Sequence, residues 1–241
     1  GSNETGSYST AVGFDAAKLA TVTTTAVGAY CLDALTTGVG NVGMGTNALS
    51  AVATGGRNTA VGDNALQVTA ANDSTAVGYW AALGTTAART TAIGAYSLVT
   101  LTSGTGNTGV GYNSLGSVET GSGNTAIGES AGALHTGTET TIVGYQANDN
   151  EAAWYAIAIG ARTAVSATFG VALGRAAIVT HDNAVAIGAS TATARVDSVC
   201  IGERDLEILG NATKGIIMKS PDATAWRVTV TNAGALSVVS I

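Results

Sequence analysis

The sequence predicts an all-β protein: a parallel solenoid of about thirteen short coils, followed by a small C-terminal β cap. Two observations predict it. A block typified by Asn58-Thr59-Ala60-Val61-Gly62 recurs thirteen times, anchored on Gly13, Gly28, Gly45, Gly62, Gly78, Gly94, Gly111, Gly128, Gly144, Gly160, Gly174, Gly188 and Gly202. The anchors stand 14 to 17 residues apart, and a step sustained over so many copies marks a repeat architecture. Inside each block a large apolar residue precedes the glycine and a small one stands two before it, as in Val61 and Ala60 or Ile187 and Ala186, with Ile142 the exception. Alternation with a period of two belongs to strands, whose successive side chains point to opposite faces.

Taken in order, the first block is Ser9-Thr10-Ala11-Val12-Gly13 and the second Thr24-Thr25-Ala26-Val27-Gly28. After each glycine come two variable residues, a small one and often a leucine: Leu32, Leu49, Leu66, Leu98, Leu115. This stretch is expected to form a second strand, and the polar connection after it a loop. Up to Gly160 the step is 15 to 17 and the third residue before glycine is usually threonine, as in Thr59, Thr75 and Thr125; beyond it the step is 14 and the position becomes Ile157, Val171, Val185 and Val199. The repeat domain is therefore 1–202. The remainder, 203–241, carries strand signals at Gly215–Lys219, Trp226–Val230 and from Leu236, with turns at Ser220-Pro221-Asp222 and Asn232-Ala233-Gly234, and suits a cap or an oligomerisation segment.

In Ala156-Ile157-Ala158-Ile159 and Ala184-Val185-Ala186-Ile187 both faces are apolar, the pattern of a strand covered on both sides. One side can face the interior of the coil. The other needs a cover that the chain does not supply, so a homo-oligomer about a common axis is expected. Net charge is −6, with no basic run, which argues against nucleic acid as a partner. No apolar run approaches the ~18 residues of a spanning helix, so no membrane insertion is expected. No secretion signal opens the chain, and Gly1-Ser2 reads as a cloning scar before which the natural protein would extend.

Candidate ligand contacts are the aromatics one or two places after the glycine, Tyr79, Trp80, Tyr96, Tyr112 and Tyr145, together with Trp154 and Tyr155 where the two zones meet, beside Asp149-Asn150-Glu151. Phe14 and Tyr30 share the first pattern. Such rings either fill corners or form a ladder on which sugars stack. Cys31 and Cys200 are eleven turns apart, roughly 50 Å at the ~4.8 Å spacing of stacked strands, so they cannot bridge and read as small buried residues. His135 and His181 lack a second ligand at metal spacing; neither a metal nor another cofactor is expected unless one histidine per chain meets on an oligomer axis. Acids such as Asp63, Glu129, Asp149 and Glu151 are dispersed, and no pair suits glycan hydrolysis, so an enzyme is not expected. Ice binding is disfavoured because Thr59 and its equivalents share the parity of the Val61 set, which is expected to be buried.

The 14-residue copies Asn183-Ala184-Val185-Ala186-Ile187-Gly188 and Ser198-Val199-Cys200-Ile201-Gly202 resemble the head repeats of trimeric autotransporter adhesins. The longer copies, such as Asn107-Thr108-Gly109-Val110-Gly111-Tyr112-Asn113-Ser114-Leu115, and the tail around Gly215–Asp222, Arg227–Val230 and Asn232–Gly234, are similar to bacteriophage tail-fibre proteins. The resemblance covers about 9–241. It implies a left-handed parallel β-roll in which three chains pack into a homotrimeric rod about 60 Å long. It also implies adhesion to a bacterial surface glycan or outer-membrane receptor, a place in the virion, and further tail-fibre segments toward the N-terminus. The other implied home is the bacterial cell surface, as the head of an autotransporter adhesin. No heptads follow the repeats, which favours the fibre.

Overall fold

The computed structural model describes residues 9–68, 72–147 and 153–202, and the backbone of 216–219, 225–230 and 236–240. Thirteen strands make one parallel sheet: β1 (Thr10–Val12), β2 (Thr24–Val27), β3 (Asn41–Met44), β4 (Thr59–Val61), β5 (Thr75–Val77), β6 (Thr91–Ile93), β7 (Thr108–Val110), β8 (Thr125–Ile127), β9 (Thr141–Val143), β10 (Ile157–Ile159), β12 (Val171–Leu173), β14 (Val185–Ile187) and β15 (Val199–Ile201). A short second sheet pairs β11 (Ala164–Val165) with β13 (Ile178–Val179). No helix occurs among the described residues. The chain winds as a solenoid in which like stacks on like: Thr59 pairs with Thr75, Ala60 with Ala76 and Val61 with Val77. Thirteen strands bound twelve closed coils, one fewer than the thirteen anchoring glycines. The last glycine opens a coil that does not close among the described residues.

The small residues line the interior. Ala26, Ala60, Ala76, Ala92, Ala126, Ala158, Ala172 and Ala186 are fully buried, facing Leu32, Leu49, Leu66, Leu98 and Leu115 on the opposite wall. Departures from the pattern compensate in pairs, because a close-packed interior conserves volume. Ile142 stands in the alanine column, while Gly132 stands in the leucine column, where an added Cβ would lie 2.8 Å from Ile142 Cδ1. Likewise, a Cβ on Gly43 would meet Cys31 Sγ. Cys31 is buried as expected, and burial pushes its thiol up to about 11. Cys200 is half-buried.

The large residues before each glycine point outward. Met44, Val77, Ile93, Ile127, Ile159, Ile187 and Ile201 are all exposed, from 37% at Val77 to 48% at Met44. The Val61 set is thus not interior. Two short walls leave room for alanine on the strand side and one leucine opposite, so the bulkier side chains are turned out.

The expected second strand forms only in the short coils. In the long ones the chain after each glycine takes positive φ at alternate residues, as in Gly111 (133°), Asn113 (52°) and Leu115 (51°), and makes stacked tight turns. Those turns bond coil to coil: the Asn113 N–H donates to Ala95 O at 2.9 Å and the Leu115 N–H to Ala131 O at 3.0 Å. The leucine accepts a left-handed backbone because its side chain is then wholly buried. In the short coils Ala164-Val165 and Ile178-Val179 occupy this stretch, and β-branched residues favour extended backbone.

The extra residues of the long coils are accommodated by a buried polar rail, Asn41, Asn58, Ser74, Thr90, Asn107, Asn124 and Thr140. The Asn124 N–H donates to Asn107 Oδ1 at 3.0 Å and the Thr140 N–H to Asn124 Oδ1 at 3.0 Å, while Asn107 Nδ2 donates to Gly121 O at 2.7 Å. The rail supplies partners to carbonyls of the polar connections that water does not reach. It ends where the step shortens: Ala156 and Ala184 take its place. Buried apolar residues run up to Ala147 and again from Ala153 to Ala186, either side of residues 148–152, which lie outside the described residues.

The chain forms two compact units, 1–203 and 204–241. The second unit is an antiparallel meander of β16 (Ile216–Lys219), β17 (Ala225–Val230) and β18 (Leu236–Ser240), with Met218 opposite Trp226 and Val228 opposite Val238. The expected turns at 220–222 and 232–234 lie outside the described residues.

Candidate functional site

Two corners flank each strand of the large sheet, and the candidate aromatics divide between them. The corner after the strand carries the first two residues past the anchoring glycine. Here three consecutive coils bring together Tyr79, Trp80, Tyr96 and Tyr112. Tyr79 and Trp80 lie parallel with centroids 5.3 Å apart; Tyr96 meets both edge-on, at 5.5 and 5.8 Å, and Tyr112 meets Tyr96 at 5.8 Å. Tyr79 and Tyr112 are exposed, at 43% and 54%, while Trp80 and Tyr96 are half-buried. Edge-to-face and offset pairs of this kind suit the ring quadrupole.

Tyr145 does not join them. It stands two coils beyond Tyr112 with the Arg162 guanidinium 6.0 Å from its ring centroid, a cation–π contact. Phe14 and Tyr30 form a separate edge-to-face pair at 5.4 Å.

Trp154 and Tyr155 occupy the corner before the strand, so they belong to a different surface. Tyr155 stacks on Phe169, with centroids 5.2 Å apart and planes 16° apart, and all three side chains are exposed. Phe169 was not among the expected contacts. Its signal was present, since Tyr155 and Phe169 each stand five residues before their glycine. The acidic stretch Asp149–Glu151 lies outside the described residues.

The same corner column carries Arg57 and Asp73 on adjacent coils, and their ion pair holds the Asp73 carboxyl below the usual carboxylate range. An open hollow of about 430 Å³ is lined by Ser117, Glu119, Thr120, Leu134 and Thr136, a lining with a single carboxylate. Among the described residues no three His, Cys, Asp or Glu side chains are grouped to hold a metal ion.

His135 lies in a connection between strands yet is fully buried, with Nε2 3.4 Å from Asn124 Oδ1 of the polar rail. Burial holds its pKa down at about 4. The neutral ring is therefore the folded form, whereas the unfolded chain takes up a proton near pH 6.5. The stability this histidine contributes is nearly complete above pH 6.5, falls as pH drops toward 4 and stops falling below that, a loss of about 3 kcal/mol. Denaturant titrations at pH 7 and pH 4.5 are expected to show most of this loss, about 2 kcal/mol, and His135→Gln to abolish it.

No protein-family model matches the sequence, and no curated protein matches it.

Proposed function

We propose that the chain is the receptor-binding rod of a phage tail fibre, working as a homotrimer that attaches the virion to a bacterial surface. The observation that carries this reading is the outward face of the large sheet. In a single chain it leaves a row of Val, Ile, Leu and Met exposed or half-buried from coil to coil, an apolar stripe far longer than isolated surface hydrophobics. Copies of the same chain, in the same register, present the same stripe, and closed symmetric assembly is the usual cover for such a face. The likeness of the long coils to tail-fibre repeats supplies the adhesive role, with left-handed winding and further fibre segments N-terminal to the chain as parts of the same proposal. Trimerisation then lets weak receptor contacts act together, provided the geometry allows simultaneous engagement.

The test is a binding assay of the fluorescently labelled protein on a panel of bacterial strains, before and after stripping capsule or lipopolysaccharide. Strain-selective binding that disappears with the stripped layer is the expected result. Equal binding to all strains would refute specific adhesion.

A further inference from the structure

Among the described residues the second residue after every anchoring glycine sits at positive φ; three long coils place there Asn47, Asn64 and Asn113, a residue type that tolerates left-handed backbone, and others Asp15, Tyr30, Ser130 and Gln146. Trp80 and Tyr96 hold the same conformation, at 57° and 58°. For bulky side chains this is an outlier. Leu98 and Leu115 accept similar strain and vanish into the core, whereas Trp80 and Tyr96 remain half-buried, beside the exposed Tyr79 and Tyr112. Ring-to-ring contact offsets part of the strain, yet the cluster keeps its outer surface in water. The same angle recurs at Tyr30, Ser130, Gln146 and Arg162, so it belongs to the corner itself; what sets these coils apart is that the corner carries contacting aromatic rings on three successive ones.

The surroundings say what would bind. Along the same two columns, Asp63 and Asn64 stand on one side of the rings and Asn113, Glu129 and Ser130 on the other. Rings flanked by amides, a hydroxyl and carboxylates offer apolar faces for C–H groups and partners for hydroxyls, the mixed chemistry of a carbohydrate site. Asp63 and Glu129, on a chain of net charge −6, repel uronates, sialates and phosphates.

We infer that Tyr79, Trp80, Tyr96 and Tyr112 form a subsite for a neutral hexopyranose chain laid along three consecutive coils. This rests on the adhesive reading above and narrows it. Coils spaced by ~4.8 Å place the rings in a row parallel to the solenoid axis, so that successive sugars meet successive coils. Tyr145 and the Trp154–Tyr155–Phe169 corner lie outside this row.

The test uses the full chain in native gels cast with dextran, β-1,4-galactan or β-mannan. At least one polysaccharide is expected to retard the protein, with the Tyr96→Ala/Tyr112→Ala double variant bound at least tenfold more weakly. A second readout needs no destabilising change: the same sugar should alter tryptophan fluorescence in the wild type and not in Trp80→Phe. A wild type that is unretarded by all three, or a fluorescence response unchanged in Trp80→Phe, overturns the subsite. Strain-selective cell binding that persists alongside that result would leave adhesion standing, whereas its absence from the wild type would remove the adhesive reading instead.

Discussion

Gly111→Ala is expected to unravel the solenoid around coils six to eight, while Gly106→Ala, five residues away, is expected to be tolerated. The two glycines look alike in sequence, and the structure separates them. At Gly111 φ is 133°, a region closed to residues with a Cβ, and an added Cβ would collide with the carbonyl oxygen of Gly128 in the next coil. Relief requires both a change of backbone angle and separation of the coils, which would break the 2.8 Å bond from the Gly128 N–H to Val110 O. Together these exceed about 3 kcal/mol, the upper range for a single strained residue. At Gly106 φ is 71°, and a Cβ there meets nothing within 4 Å. Left-handed strain alone then applies, about 1 kcal/mol. Thermal melts of the sheet signal decide the matter: similar melting of the two variants would show that the close approach of neighbouring glycines does not hold the stack together.

The largest effect on assembly is expected from Ile159→Asp/Ile187→Asp. Both side chains lie on the outward stripe, where the short coils carry large apolar residues at both outward positions, Ile157 with Ile159 and Val185 with Ile187. In the single chain an aspartate at either place is hydrated and harmless. Between packed copies it becomes a buried, unpaired carboxylate, at a cost of several kcal/mol. At tenfold per 1.4 kcal/mol, two such sites weaken association by more than a thousandfold. Sedimentation should therefore show single, folded chains, whereas Thr54→Asp on an exposed connection should sediment like the wild type. Were the double variant and the wild type to sediment identically, the stripe would not be an interface between copies. Ala158→Asp, one residue from Ile159 but facing inward, is the contrasting case, because it places the charge in the core of its own coil.

The period and the strand positions were legible because a solenoid stacks like on like, so each coil repeats the same constraint and thirteen weak blocks reinforce one another. The strand ends follow the Thr-Ala-Val blocks almost residue for residue. Which face turns inward was less legible, since alternation alone assigns parity without direction; wall-to-wall spacing decides for alanine. The second side of the long coils was misread as a strand, because leucine and asparagine carry no signal for alternating positive φ when burial and coil-to-coil hydrogen bonds override backbone preference. At the candidate site, the clustering of Tyr79, Trp80, Tyr96 and Tyr112 followed from their common place after the glycine. Phe169 escaped because its column lies across a connection of variable length, where counting forward from the previous coil loses phase. Burial of His135 was legible in principle: Leu35, Val52, Leu101 and Val118, like His135, stand seven residues after their glycine, and all are buried.

The sheet runs unbroken across the change of step. The apolar cluster ending at Ala147 and the one beginning at Ala153 are joined side by side through the pairing of β9 with β10, where Thr141, Ile142 and Val143 lie against Ile157, Ala158 and Ile159. The step falls from 16 residues between β9 and β10 to 14 between β10 and β12 without a slip of register, so the shortening is absorbed in the connections and the outward column passes in phase from Val143 through Ile159 to Leu173.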